Sequence, residues 1–261
     1  MATSTQRPPT VGFGGLPSTV RACLFDLDGV LTRTAELHEQ AWKQAFDEFL
    51  KFRAEQDGTE FVPFTAHDYA RFVDGKPRLA GTRDFLASRD LHLPEGDAFD
   101  LPTRHTVWGL SNRKNDLVAE LIQTRGVAVY DGSVRYVRAA RAHGLRTAVV
   151  TSSANAVRVL ATAGIADLFD ARIDGVVAKE RNLAGKPAPD TFWAGAAALG
   201  VEPAAAAVFE DALAGVSAGR AGKFGYVVGV DRAGQAAALK AAGADLVVGD
   251  LSELLSCVEP K

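Results

Sequence analysis

The pattern that most constrains the fold is an alternation of apolar runs and helical segments from about residue 127 to the end of the chain. Segments with helical spacing separate apolar runs that predict strands near 145–151, 171–176, 205–209, 225–230 and 245–248. This βαβα order is typical of a parallel sheet with helices on both faces. We therefore predict an α/β fold built on a doubly wound parallel sheet.

A further buried strand is predicted near the amino terminus, where an apolar run beginning at Ala22 stops in Asp26-Leu27-Asp28-Gly29. Because strand side chains alternate, Asp26 and Asp28 would share one face, and Gly29 would let the chain turn sharply. The carboxyl end of such a strand lies in the crevice where open α/β sheets bind ligands. Two carboxylates this close need a cation or a proton, although a solvated acidic turn explains the motif alone equally well.

Residues 34–126 interrupt this alternating pattern. Apolar residues at helical spacing predict a long helix over 35–52. The next 60 residues contain many turn signals and no long strand, and they favour short helices at 66–73, 79–88 and 113–125. We therefore predict an α-helical cap domain over 34–126, inserted into a catalytic core formed by residues 20–33 and 127–261.

Composition excludes several classes of function. The 261 residues carry a net charge of −3, so no global charge favours nucleic acid or an anionic membrane. No apolar run reaches the roughly 18 residues of a membrane span, and two cysteines favour a reducing cytoplasm. Residues 1–19 are rich in Pro, Gly, Ser and Thr, lack the apolar centre of a secretory signal and are predicted to be a flexible extension. We predict a cytoplasmic location and no nucleic-acid, membrane or protein partner.

Two later loops carry polar residues directly after predicted strands or before helices. The Thr151–Ser153 segment would cap the following helix or, with its hydroxyls and free backbone N–H groups, form a phosphate seat. Lys186 stands in Gly-Lys-Pro-Ala-Pro, where it would be either a solvated loop lysine or a cation held in place by the prolines.

An acidic pair, Glu210-Asp211, follows the predicted strand at 205–209. One of these acids would serve only as a helix cap, but both beside Asp26 would form a cluster of hard oxygen ligands suited to Mg²⁺. Together with the earlier motifs, the pair supplies what phosphoryl transfer requires: a carboxylate nucleophile, an acid that moves the proton, a cation, and donors for the phosphate.

These motifs, in this order, resemble those of the haloacid dehalogenase superfamily over nearly the whole chain beyond the amino-terminal extension. The resemblance implies a Rossmann-like core with an inserted cap. It also implies that Asp26 is the nucleophile that forms an aspartyl-phosphate and that Asp28 is the general acid and base. Ser152 and Lys186 would hold the transferring phosphate. The implied Mg²⁺ ligands are Asp26, the backbone carbonyl of Asp28, Glu210 and Asp211.

A narrower resemblance concerns the segment around 25–43, which is similar to the opening of the β-phosphoglucomutase family. In that family a His and a Trp of this stretch link cap closure to substrate binding, and these roles would fall to His38 and Trp42. Without the flanking motif, a surface histidine and a core tryptophan would be the simpler interpretations.

Two cap loops, at 74–78 and 112–116, are similar to the phosphate- and sugar-contacting loops of the same family. The resemblance implies that Arg78 binds the distal phosphate of the substrate and that Lys114 and Asn115 lie near the sugar. A planar guanidinium suits such a phosphate well. Solvated basic turns are the alternative interpretation of both loops.

The resemblance implies a Mg²⁺-dependent mutase that interconverts β-D-glucose 1-phosphate and D-glucose 6-phosphate, with glucose 1,6-bisphosphate as intermediate and phosphorylating activator. A phosphatase of small sugar phosphates, with the same residues and a leakier cap, is the first alternative. A non-catalytic protein that binds a phosphorylated ligand is the second. The presence of both a nucleophile and an acid argues against this second alternative.

Overall fold

A parallel β-sheet forms the centre of the structure, a computed structural model that describes residues 12–257. Its strand order is β3-β2-β1-β4-β5-β6, and every neighbouring pair is parallel. The strands are β1 (Ala22–Phe25), β2 (Arg146–Val150), β3 (Ala171–Ile173), β4 (Ala206–Glu210), β5 (Tyr226–Val230) and β6 (Leu246–Val248). The chain runs outward from β1 to β3 and then from β4 to β6, so the topological switch point lies between β1 and β4.

Helices cover both faces of this sheet. Along β1, Cys23 and Phe25 belong to one apolar cluster, whereas Ala22 and Leu24 belong to the cluster on the opposite face. This alternation is what a strand buried on both sides requires. The predicted doubly wound α/β class is therefore confirmed. The covering helices are α5 (Asp131–Ala142), α6 (Ala156–Ala163), α7 (Gly175–Glu180), α8 (Asp190–Ala198), α9 (Leu213–Ala221) and α10 (Ala236–Ala242).

The predicted strand at 171–176 is shorter in the structure, because β3 ends at Ile173 and a helix begins two residues later. The Asp174 carboxylate accepts hydrogen bonds from the backbone N–H groups of Val176 and Val177. A side chain that caps these free N–H groups stabilises a helix start, and so the chain turns into α7 at this point. The sequence analysis missed α7 because its apolar residues continue the β3 pattern.

Helices also form the segment between β1 and α5. Its long helices, α1 (Thr34–Asp57) and α4 (Val107–Arg125), pack against each other. One end of this pair shares the apolar cluster on one face of the sheet, while the other end surrounds a separate aromatic cluster that includes Trp42 and Phe46. The division into core and cap at 33 and 127 remains a prediction. The shorter elements are α2 (Ala66–Asp68), a π-helical turn (Tyr69–Val73) and α3 (Arg78–Ser88).

The flexible extension over 1–19 stays a prediction, and the structure describes residues 12–19 of it. Residues Phe13–Gly15 form a 3-10 helix, and the Phe13 ring lies 5.3 Å from that of Tyr136. Leu16 is buried with the sheet cluster, so apolar contact holds this segment against the core. Residues 1–11, the rest of the predicted extension, lie outside the described part of the chain, as do residues 258–261.

Helix length and hydropathy bear on the membrane prediction. Across residues 12–257, none of the helices combines the length and the apolar character that crossing a bilayer demands.

Candidate active site

The turn after β1 places the first two aspartates at the switch point of the sheet. Asp26 directly follows β1, and its backbone N–H donates to the carbonyl of Phe209 in β4 at 2.9 Å. Gly29 has a φ of 93°, a left-handed conformation that side chains disfavour. A Cβ atom at Gly29 would also overlap the Asp211 carboxylate. Glycine at this position therefore lets the turn that carries Asp28 lie directly against the acidic pair at the end of β4.

Lys186 joins the nucleophile candidate to the acidic pair. Its Nζ lies 2.5 Å from Asp26 Oδ1 and 2.5 Å from Glu210 Oε1, and it donates to the carbonyl of Val150 at 3.0 Å. Burial alone would lower the pKa of Lys186, but the two carboxylates raise it above its usual value. The ammonium therefore stays charged at neutral pH. The structure places Lys186 beside Asp26, where the sequence analysis predicted a phosphate-binding cation.

The two acidic partners of this lysine belong to a group of three carboxylates. Asp26, Glu210 and Asp211 each offer an oxygen, and these oxygens lie within 4.8 Å of one another. Burial raises the pKa of Asp26 to about 6 and that of Glu210 to about 7, although Lys186 acts against both increases. Burial, followed by the charge of Asp74, raises the pKa of Asp211 well above its usual value. Buried acids that repel one another in this way fit a hard divalent cation such as Mg²⁺.

We expect the metal-free protein to lose stability as pH rises from about 4 to about 7. The pKa values of Asp26 and Glu210, about 6 and about 7 in the fold, lie above their ordinary values of 3.8 and 4.5. The folded state therefore binds more protons than the unfolded state in this window, and it must release them as pH rises. Thermal unfolding in EDTA should give a lower Tm at pH 8 than at pH 5. Added Mg²⁺ should raise Tm more at pH 8, and a flat Tm in EDTA would contradict the pKa assignments.

Asp28 lies at the junction of the core and the cap helices. Its carboxylate accepts a short hydrogen bond from the hydroxyl of Thr34, the first residue of α1, and a longer one of 3.4 Å from Thr151. His38 Nε2 lies 3.6 Å from Asp28 Oδ1, a little beyond hydrogen-bond distance. Burial raises the pKa of Asp28, whereas the Thr34 hydrogen bond lowers it. An acid with these opposing influences is suited to exchanging a proton with a substrate.

Two further predicted residues of the cap reach the same region. Lys114 Nζ lies 3.0 Å from His38 Nδ1 and 5.0 Å from the centre of the Trp42 ring. Burial lowers the pKa of Lys114 to about 7. Burial and the nearby Lys114 charge lower the pKa of His38 well below its ordinary value, so its imidazole is neutral. The structure thus brings His38, Trp42 and Lys114 together beside Asp28.

Arg78 and Asn115 line the cap side of the same cavity, which has a volume of about 580 Å³. Arg78 is the first residue of α3, and its buried Nε has no hydrogen-bond partner within the described residues. Such a donor is free for an anionic ligand. The side chain of Asn115 accepts a hydrogen bond of 3.4 Å from Asn155 of the core.

Ser152 makes a contact that the sequence analysis did not predict. Its hydroxyl donates to the carbonyl of Gly75, in the cap, at 2.8 Å. The neighbouring hydroxyl of Thr151, rather than that of Ser152, points toward Asp28. Thr151 directly follows β2 and is buried, and this end-of-strand position is a signal that could have identified it. The role of Ser152 in phosphate binding stays a prediction.

Asp74 and Tyr69 are cavity residues to which the sequence analysis assigned no role. They lie at the two ends of the π-helical turn, where the backbone N–H of Asp74 donates to the carbonyl of Tyr69 at 3.0 Å. Burial raises the pKa of Asp74 to about 7, and the charge of Glu210 adds to the increase. The sequence analysis included Asp74 in the loop at 74–78 but gave it no role, because only the docking of the cap brings it near the core carboxylates.

An α/β core with a nucleophile candidate at its switch point, closed by a helical cap, defines a class of phosphoryl-transfer proteins. The haloacid dehalogenase-like hydrolase family matches residues 20–223, so the chain belongs to that family. The chain is 56% identical over 245 residues to a β-phosphoglucomutase of Mycobacterium tuberculosis, covering 92% of this chain and 94% of that protein. The β-phosphoglucomutase of Bacillus subtilis is 34% identical over 90% of this chain and 92% of its own length.

A solved structure shows the same architecture. The crystal structure of a β-phosphoglucomutase from Clostridium difficile superposes with a TM-score of 0.68, covering 92% of this chain and 99% of that one at 24% identity. At this identity the similarity supports the fold alone. The sequence relatives add that the chain is an enzyme of the β-phosphoglucomutase-like branch, as the sequence analysis predicted.

Proposed function

We propose that the enzyme is a Mg²⁺-dependent β-phosphoglucomutase that interconverts β-D-glucose 1-phosphate and D-glucose 6-phosphate in the cytoplasm. One observation carries the proposal: a single cavity has Asp26 on its core side and Arg78 on its cap side, and the Arg78 Nε has no hydrogen-bond partner among residues 12–257. A phosphatase needs one phosphate site, whereas a mutase must hold a bisphosphate at both ends. The 56% identity to a mycobacterial β-phosphoglucomutase supports the same conclusion.

The chemistry begins when an Asp26 oxygen attacks one phosphorus of glucose 1,6-bisphosphate and the bond between that phosphorus and the sugar oxygen breaks, which leaves an aspartyl-phosphate and a sugar monophosphate. Asp28 gives its proton to the departing sugar oxygen. In the reverse direction, Asp28 takes the proton of a sugar hydroxyl as that oxygen attacks the aspartyl-phosphate. Transfer to either end of the sugar then requires glucose 1,6-bisphosphate to turn around in the cavity, so that each phosphate in turn faces Asp26.

Cationic groups balance the charge of these steps. Lys186, fixed between Asp26 and Glu210, would neutralise the transferring phosphate, and the hydroxyl of Thr151 lies on the same side of the cavity. Asp26, the backbone carbonyl of Asp28, Glu210 and Asp211 would hold Mg²⁺. When bound, Mg²⁺ supplies positive charge that lets an anionic carboxylate approach an anionic phosphate.

The cap residues would bind the far end of the substrate. Arg78 would bind the distal phosphate, while Lys114 and Asn115 would contact the sugar. His38 and Trp42 tie Lys114 to the region of Asp28, so substrate binding and proton transfer would depend on the same closed cap. A closed cap also excludes water, which a mutase needs because water would hydrolyse the aspartyl-phosphate.

A ³¹P NMR time course tests this function directly. With β-D-glucose 1-phosphate, Mg²⁺ and a trace of glucose 1,6-bisphosphate, we expect the substrate signal to move to glucose 6-phosphate without stoichiometric inorganic phosphate. Omitting the bisphosphate should delay the reaction, because Asp26 must first be phosphorylated. Release of inorganic phosphate with no isomerised sugar would instead identify a phosphatase. Binding with no turnover would identify a non-catalytic protein.

A further inference from the structure

The cap turn that carries Arg78 rests directly on the core. Besides the hydrogen bond from Ser152 to the carbonyl of Gly75, two close approaches fix this turn. A Cβ atom at Gly75 would lie 2.7 Å from the Cβ of Ala212, just after the acidic pair. Pro77, the residue before Arg78, packs against Gly185, the residue before Lys186. This contact between cap and core, here called the seam, therefore lies next to Arg78 of the cap and Lys186 of the core.

The contact between Pro77 and Gly185 leaves no space for a larger residue on the core side. A Cβ atom at Gly185 would overlap Cγ of Pro77 and lie 2.8 Å from its Cδ. The same atom would lie 3.4 Å from the Cβ of Pro77, which is an ordinary van der Waals distance. The obstacle is thus the far side of the proline ring alone. An alanine at residue 77 would lack these atoms and would leave room for a methyl group at residue 185.

The backbone of Gly185 gives no other reason for glycine. The φ of Gly185 is not positive, so no left-handed conformation requires glycine at this position. When the cap opens, the Pro77 ring moves away from residue 185, and a methyl group there no longer clashes with it. A substitution to alanine therefore opposes the closed arrangement specifically and leaves the open arrangement unaffected.

We infer that Gly185 and Pro77 are positioning residues that determine how completely the cap closes, and thereby whether the aspartyl-phosphate transfers to sugar or to water. The inference rests on the proposed mutase function. Neither residue needs to touch the reacting atoms, because the contact between them sets the position of the cap turn that carries Arg78. A methyl group that holds the cap turn away from the core here would displace Arg78 from the distal phosphate and admit water beside Asp26.

The test is a pair of single variants and their combination: Gly185→Ala, Pro77→Ala, and the double variant. For each enzyme, ³¹P NMR measures the glucose 6-phosphate formed and the inorganic phosphate released from β-D-glucose 1-phosphate. Overpacking a close contact shifts a closed–open equilibrium by about tenfold to a hundredfold. We expect Gly185→Ala to lower isomerisation and raise the fraction of phosphate lost to water by a factor of this order. In the double variant, both the rate of isomerisation and the fraction of phosphate lost to water should return most of the way to their wild-type values.

Steric rescue separates this explanation from damage to Lys186. If the methyl group displaced Lys186, removing the Pro77 ring would not restore the reaction, and a double variant as defective as Gly185→Ala would overturn the inference. Pro77→Ala alone removes atoms and creates no clash between cap and core. Its ratio of glucose 6-phosphate to inorganic phosphate should therefore be nearer that of wild type than the ratio of Gly185→Ala. The Tm of Gly185→Ala should match that of wild type, since an open cap relieves the clash. Unfolding at the assay temperature would overturn the inference.

The same experiment distinguishes failure of the inference from failure of the proposed function. A wild-type enzyme that releases phosphate without forming glucose 6-phosphate would refute the mutase assignment, whatever the variants do. A wild-type enzyme that isomerises the sugar, with a Gly185→Ala variant whose ratio of products is unchanged, would refute only the role of the seam.

Discussion

Replacing Asp26 with asparagine should lower the rate of isomerisation by at least about 10⁴-fold. The amide is nearly the same size as the carboxylate and can still accept the hydrogen bond from Lys186, so the fold should tolerate it. A neutral amide, however, has no anionic oxygen with which to attack phosphorus. The loss of rate should therefore come from chemistry, since the arrangement around Lys186 and Glu210 is retained.

This result can be measured by ³¹P NMR and by mass spectrometry of the denatured protein after mixing with glucose 1,6-bisphosphate. Wild type should carry a phosphoryl group and Asp26→Asn should carry none. Asp57→Asn is a matched control, because Asp57 lies at the exposed end of α1 and forms a surface ion pair with Arg53. Turnover by Asp26→Asn comparable to that of this control would remove Asp26 as the nucleophile.

Replacing Lys186 with methionine should lower the rate by a smaller factor than Asp26→Asn does, and it should also destabilise the fold. The side chain is fully buried between Asp26 and Glu210. Methionine fills a similar volume but leaves two carboxylates facing each other without a cation. Removing one partner of a buried ionic group costs about 3–5 kcal/mol, and losing a preorganised donor at a reacting phosphate costs about 10²–10³-fold in rate. We expect the loss of stability in the metal-free enzyme and the loss of rate in the Mg²⁺-loaded enzyme.

Urea unfolding at two pH values isolates the cause of the lost stability. Without Lys186, the pKa values of both carboxylates should rise further, so Lys186→Met should lose more free energy of unfolding at pH 8 than at pH 5.5. Lys51→Met is the control, because Lys51 is exposed on α1 and its replacement should change stability by no more than about 0.5 kcal/mol. Equal destabilisation of Lys186→Met at both pH values would indicate lost packing in place of lost charge.

Much of the core site could be predicted because its residues follow strands. Asp26 and Glu210-Asp211 lie directly after or at the ends of β1 and β4, which are neighbours in the sheet. Parallel strands present their carboxyl ends at one edge, so a residue pattern along the chain becomes a cluster in space. The hydroxyl contacts were harder to predict, since Thr151 and Ser152 are adjacent and only the turn after β2 decides that Thr151 faces Asp28 and Ser152 faces Gly75.

The cap shows where local pattern stops being informative. Its helices were predictable from apolar spacing, yet Asp74 gained its raised pKa, and Pro77 its contact with Gly185, only through the way in which the cap lies on the core. Where the cap meets the core, the contacting segments are far apart in sequence and follow no repeating pattern. These contacts therefore cannot be predicted from periodicity.

By itself, the sequence determined the alternating α/β core, the order of the motifs and the acids that gather at the switch point, because strand and helix periodicity are local properties. The tertiary structure alone decided the fit of the cap turn against Gly185, the pairing of Lys186 with two acids and the position of Asp28 beside the cap helices. These features depend on distances of a few ångströms between segments up to 160 residues apart, which are set by packing of the whole molecule.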